Sequence, residues 1–270
     1  MFSVVKSGMD TALQELSIIS NNISNANSTG FKKSSVAFSE LFNGSSAEGV
    51  KSSLVGKGVH ADDTRRSDAQ GSLKEMGGAL DTAVVGNGYF MTQRADQIGY
   101  SVTRNGGFSL DANGFLQTQD GAFVLGTPAV DGEFVDVGQD AAALQRIQIP
   151  IIANDYPLSN ISVENDGNIF AAFGKTGDQP VATISLSIFS NPNGLRQLGS
   201  GAYAPTNDAG KVFLGKPTAP GFGNLASGFI EGSNVDITDE MTNMIRAQQQ
   251  FSGAAKIMQA NSDMIEKLTR

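Results

Sequence analysis

The chain has 270 residues, no Cys, no Trp, one His and a formal net charge of −8. That length suits one large domain or two ordinary ones. The acidic balance argues against non-specific nucleic-acid binding, and the lack of Cys excludes disulfides and thiol chemistry without fixing a compartment.

From the N-terminus, apolar residues at Val5, Met9, Ala12, Leu16, Ile19, Ile23 and Ala26 alternate at spacings of four and three. A 3.5-residue period predicts a helix that packs against another helix in coiled-coil fashion. The opening MFSVVKSGMDTALQEL is broken by Lys6, Asp10 and Glu15, so no cleaved secretory signal is expected. No run approaches the ~20 apolar residues of a membrane span. The next stretch, SNNISNANSTGFKK (Ser20–Lys33), is crowded with Asn and Ser. Those side chains compete for the backbone and favour caps and turns. Gly30 suits a position just past a helix end, where φ is positive.

Asn43–Gln70 is rich in Gly and Ser, is charged and lacks periodicity, and reads as part of an extended connector over residues 39–72. From there the pattern turns to short β runs, as in DTAVVGNGYFMTQ and ATISLSIFS, and a β-rich domain is expected over residues 73–225. The Gly count of 32 fits such a middle, given a usual share of about 7%. Asp111–Gly114 and Glu164–Gly167 sit between alternating runs and predict hairpin turns. Pro217 and Pro220 mark the exit, and SGFIEGS (Ser227–Ser233) leads to a second helix.

That helix keeps the same alternation at Ile237, Met241, Met244, Gln248, Phe251, Ala255, Met258, Ser262 and Ile265, with Ile245, Ile257 and Leu268 widening the stripe. Asp236 or Thr238 offers the N-cap, and Lys267 and Arg270 suit the negative end of the helix dipole. The expected fold is α+β. A helix occupies residues 1–38 and another residues 226–270; they pair like a coiled coil, and between them lie the connector and a mostly antiparallel β domain.

No chemistry suggests itself. His60 has no partners at ligand spacing, so neither a zinc site nor any other metal is expected. Gly86-Asn87-Gly88 and Gly221-Phe222-Gly223 resemble nucleotide loops only superficially, because neither opens a helix with the remaining motif residues. Asp62–Asp63 and Asp236 with Asp239 are pairs of the kind any acidic chain contains. No catalytic residue, cofactor or nucleic-acid partner is predicted.

LSIISNNISNANSTGFKKSSVAFSELF closely resembles the N-terminal signature of the flagellar rod and hook protein family. Ile18-Ile19, Asn21-Asn22, Ile23, Asn25, Thr29 and Gly30-Phe31-Lys32 carry the match. The resemblance continues in LDTAVVGNGYF, in SVTRNGGFSLDANGFLQTQDGAFVLG, in ISVENDGNIFAAFG and in the C-terminal GFIEGSNVDITDEMTNMIRAQQQF. Gln249 and Phe251 depart from it, standing where family members commonly carry Arg and Tyr.

The resemblance implies a non-enzymatic subunit, exported by the flagellar type III apparatus without a cleaved signal. It implies a helical tube built with other copies and with neighbouring rod or hook subunits. The terminal helices would form the inner wall and the β domain would lie outside, in the basal-body rod that crosses the periplasm, transmits motor torque and contains the export channel. Val5, Met9, Ala12, Leu16, Ile19, Ile23 and Ala26 are then assembly contacts on the first helix. Met241, Met244, Ile245, Gln248, Phe251, Ala255, Met258 and Ile265 are the contacts on the second. Gly30, Phe31 and Asn234 join them, and Asn21, Asn22 and Asn25 would bond across subunit boundaries. About 145 residues lie between connector and final helix, room for one outer domain, which favours a rod protein. A hook subunit is the alternative, and a secreted β-rich adhesin or glycan-binding module is the alternative of another class.

Overall fold

The computed structural model describes residues 2–40, 58–95, 99–130, 132–136, 138, 140–153, 156–174 and 177–269. Arg270 and most of the Gly/Ser-rich stretch (41–57) lie outside the described residues. The chain divides into two compact units: Met1–Ala26, Lys33–Ser67 and Val235–Arg270 form one, and Asn27–Lys32 with Asp68–Asn234 form the other.

The first unit contains two helices, α1 (Phe2–Ser24) and α2 (Ile237–Thr269), packed together. Beside them lies an antiparallel ribbon of Ser34–Glu40 and Val59–Arg66, with a bulge between Val36 and Phe38. Residues 59–66, which lack periodicity and read as connector, are therefore a paired strand. Its partner supplies the backbone hydrogen bonds that no amphipathic pattern announces. At the start of α2 the N-cap is Asp236, whose Oδ1 accepts from the backbone N–H of Thr238 at 2.8 Å and of Asp239 at 3.3 Å.

Those bonds to the ionised carboxylate hold Asp236 below the ordinary Asp value of 3.8. A depressed carboxyl stabilises the folded state above its unfolded pKa, and that support is lost as pH falls through the folded value. Protection of the amides at residues 238–240, measured against their intrinsic exchange rate at each pH, should therefore fall as pH drops below 3.8. Asp236→Asn, which keeps an acceptor that does not titrate, should flatten that response.

Among the described residues, the second unit is an all-antiparallel assembly around a 14-stranded sheet. Its main path runs Ile152–Ala153, Tyr156–Val163, Asn168–Phe173, Gln179–Ile184, Phe123–Pro128, Tyr89–Gln93, Ser101–Thr103, Ala202–Ala204, Arg196–Gly199. Side chains alternate across a strand, and here both faces are covered. Phe90 and Val124 face one core with Phe108, Leu116, Ile149, Ile169 and Ile184. Their neighbours Tyr89, Met91 and Leu125 face another, with Val102, Phe189, Tyr203 and Leu214. Both predicted turns close hairpins. Gly114 (φ 80°) and Gly167 (φ 85°) donate their N–H to Asp111 O at 2.9 Å and Glu164 O at 3.0 Å. The β unit extends past residue 225: Asn224–Ser227 pairs with Thr82–Val85, and Phe229–Glu231 pairs with Leu73–Glu75.

Candidate functional site

The helix pair is antiparallel, because Asn22 near the end of α1 bonds Glu240 near the start of α2. Of the predicted α1 stripe, Ala12 and Ile19 are buried and Val5, Met9, Leu16, Ile23 and Ala26 are half-buried. On α2 the buried or half-buried line runs through Glu240, Met244, Ala247, Phe251, Ala254, Met258 and Asn261. It keeps the expected alternation but is displaced by one residue at every second position. The displacement has a steric and a polar reason. Ala247 admits close approach where the longer Gln248 was expected, and Glu240 turns inward to meet Asn22. Met241, Ile245, Gln248 and Ile265 are left exposed, while Ala255 is half-buried.

The helices also differ in length. At 1.5 Å per residue, 23 residues span about 35 Å and 33 residues about 50 Å. Pairing that begins at Asn22 and Glu240 exhausts α1 some twenty residues later, at roughly residue 260 of α2. Met264 and Leu268 lie beyond that point and are 60% and 79% exposed.

The amides of the Asn-rich stretch behave differently from one another. Asn22 is 1% exposed, and its amide is satisfied inside the chain. Nδ2 donates to Ser34 O at 2.8 Å and to Glu240 Oε2 at 3.0 Å, and Oδ1 accepts from Ser34 N–H at 3.0 Å. These three bonds within the chain leave little capacity for a neighbour. Asn25 Nδ2 turns back to the Asn21 carbonyl at 2.9 Å, at the end of α1. Of the three predicted contacts Asn21, Asn22 and Asn25, Asn21 is the one that stands exposed.

A second arrangement sits in the β unit. Glu231 is fully buried, and its Oε1 accepts from Lys32 Nζ at 2.6 Å and from Gly71 N–H at 2.9 Å. Its Oε2 accepts from Arg104 Nη1 at 3.2 Å. Lys32 Nζ also donates to Ala69 O at 2.8 Å, and Arg104 Nη2 to Gly86 O at 2.9 Å. The Arg104 guanidinium lies 5.1 Å from the Tyr89 ring centroid, whose hydroxyl donates to Asp68 at 2.9 Å. Burial pulls the Lys32 ammonium below its ordinary range, and Glu231 pulls it back. Backbone bonds reinforce the junction: Gly30 N–H to Glu231 O at 2.8 Å and Asn234 N–H to Phe31 O at 3.3 Å. Asn234 Nδ2 donates to Ala69 O at 2.9 Å.

Gly30 and Phe31 are both buried. Gly30 has φ 68° as expected, but α1 ends at Ser24, so Gly30 is not the residue just past the helix end. Its conformation serves a close backbone approach, for a Cβ there would meet Asn105 N at 2.8 Å and Arg104 C at 3.0 Å. Gly30→Ala should therefore cost more than the roughly 1–3 kcal/mol of a strained positive φ. Gly77 (φ 75°) has open space around it and provides the control. Gly77→Ala should show the strain alone, and the difference in melting temperature between the two variants reads the contact.

The sequence analysis overlooked the charged junction. Lys32 and Glu231 both stand in stretches that carry the family resemblance, but 199 residues separate them and no local pattern links the two.

Three family models match the chain. "Flagella basal body rod protein" covers residues 3–32, "Flagellar hook protein FlgE/F/G D1 domain" covers 83–171 and "Flagellar basal body rod FlgEFG protein C-terminal" covers 226–270. A flagellar basal-body rod protein FlgG of Bacillus subtilis is 33% identical over 274 residues, covering 97% of this chain and 95% of its own length. The chain belongs to the flagellar basal-body rod protein family. Another rod protein FlgG, from Buchnera aphidicola subsp. Acyrthosiphon pisum, is 31% identical over 99% of this chain and 97% of its own length. A hook protein FlgE of Caulobacter vibrioides is 35% identical, over 41% of this chain and 19% of its own length. The charged junction of this rod-family chain draws one residue from each matched region: Lys32 from the first, Arg104 from the second and Glu231 from the third.

Proposed function

We propose that the chain is a structural subunit of the bacterial flagellar rod, resident in the basal body. It packs with copies of itself and with neighbouring rod or hook subunits through its terminal helices. On this reading it is exported by the flagellar type III apparatus and joins a hollow tube that carries torque and the export channel. The carrying observation is the apolar surface that the helix pair leaves uncovered on α2. Ile237, Met241, Ile245, Ile257, Met264 and Leu268 are all exposed on one helix. Apolar surface at that density marks a site of association. Its partners on this reading are neighbouring subunits, and Asn21, Met241, Ile245, Gln248 and Ile265 are the predicted assembly contacts that remain accessible to them.

The test uses a strain lacking the gene, complemented with tagged wild-type chain or with Met241→Glu/Ile245→Glu. Both side chains are more than half exposed, at 52% and 55%, so the double variant should keep the circular dichroism and melting of the wild-type monomer. It should nevertheless abolish motility and be missing from purified basal bodies, where electron microscopy should place the wild-type tag on the rod. Full motility of the double variant would remove the α2 surface from assembly. A wild-type tag absent from the rod would overturn the function.

A further inference from the structure

We propose that the Glu231 carboxylate is an electrostatic interlock, which makes the docking of the arm 27–32 and of the return segment 229–234 onto the β unit mutually dependent. Lys32 and Arg104 are 1% and 4% exposed and bond opposite oxygens of this carboxylate. With the return segment displaced, the docked arm would hold a buried ammonium facing a buried guanidinium. Arg104 already disfavours the charged Lys32, and among the described residues the anion besides Glu231 that favours it is Asp68, which is engaged by the Tyr89 hydroxyl.

The dependence runs the other way as well. With the arm displaced, the return segment would bury Glu231 with one of its two cationic partners missing. Truncating one partner of a buried ion pair is strongly destabilising, whereas replacing the whole pair with apolar groups is often neutral. Each end therefore docks well only when the other is in place. Glu231 lies 199 residues from Lys32, 160 from Gly71 and 127 from Arg104, so the coupling is between segments remote in sequence. The backbone bonds Gly30 to Glu231 and Asn234 to Phe31 join the same two segments directly. α1 leads into the arm and the return leads into α2, so the interlock commits both helix-bearing ends of the chain at once. A buried ion pair that merely added stability to the β unit would not single out these two segments.

The experiment is amide hydrogen exchange read by mass spectrometry on the full chain. It follows peptides from the arm, from the return and from the sheet core at residues 168–173. Lys32→Met should speed exchange in the return at least tenfold, although the return is untouched in sequence, and Glu231→Gln should do the same to the arm. The core peptides should keep their wild-type rates in both. Linkage requires the two effects to be reciprocal. The triple variant Lys32→Met/Arg104→Met/Glu231→Met should bring both segments back to within a few-fold of wild type, because none of the three buried charges is then stranded.

Loosening confined to the mutated segment would overturn the interlock. So would single-variant effects that simply add in the triple variant. Opening of the core together with the ends in both single variants would equally overturn it, because the carboxylate would then support the whole unit. Should either single variant not fold, recovery of wild-type exchange by the triple variant still supports the coupling, and failure of the triple variant to recover overturns it.

Discussion

Asn22→Ala is expected to lower the stability of the helix pair by several kcal/mol. Asn21→Ala, one residue away, is expected to leave it unchanged or slightly improved. Ala is the better helix former, by up to about 0.7 kcal/mol, so helix propensity alone would favour both substitutions. Burial separates them. Asn21 is exposed, and nothing is stranded when its side chain goes. Removing the Asn22 amide strands the Ser34 N–H, the Ser34 carbonyl and one oxygen of Glu240. Each buried polar group left unsatisfied costs about 1–3 kcal/mol. Lys33 Nζ lies 3.8 Å from the other Glu240 oxygen but is itself part-exposed, and it offsets little of the loss. Thermal melting of the helical signal in dilute monomer decides the matter. Equal melting of the two variants would mean that the bonds of Asn22 are not holding the pair together.

Ile19→Asp should do still more damage at neutral pH and should partly recover in acid. Ile19 is 5% exposed, so a carboxylate placed there would be buried. Such a group escapes most of its desolvation cost by taking up a proton, so its folded pKa is raised. A raised carboxyl destabilises the fold as pH rises above its unfolded value of about 3.9, and the penalty fades as pH approaches that value from above. Ile19→Ala, which leaves a cavity, should cost about 2–5 kcal/mol with no such pH dependence. Leu13→Asp, at a position 49% exposed on the same helix, should leave the monomer intact. A melting profile for Ile19→Asp that runs parallel to that of Ile19→Ala across pH would rule out a buried charge.

Periodicity in the sequence was enough to locate both helices and to place Ala12 and Ile19 on the buried side of α1. It also identified the hairpins at Asp111–Gly114 and Glu164–Gly167, whose turn chemistry is local. The same periodicity left the phase of α2 unresolved. A stripe through Met241 and Gln248 and one through Glu240 and Ala247 differ by a single residue, about 100° around the helix. Hydrophobicity favours the former, and the bond from Glu240 to Asn22 selects the latter. The ribbon strand at residues 59–66 has no apolar alternation and becomes a strand through its partner. Glu231 reads in sequence as an ordinary acidic residue after a short apolar run. What buries it is a lysine and an arginine brought from 199 and 127 residues away, and no window of sequence contains all three.

Residues 27–32, 69–71 and 231–234 are tied to one another, so the chain enters and leaves the β unit through one doorway. Every strand from Thr82 to Ser227 hangs behind it. The spacing of the doorposts does not depend on how much polypeptide lies beyond them. Turns elsewhere in the unit, such as Asp111–Gly114, can lengthen, and whole hairpins can be gained or exchanged, without moving the point of entry or of exit. The β unit thus keeps its two ends at one fixed spacing while the strands between them are free to diverge in size. A lineage could remodel those strands and still keep the same doorway.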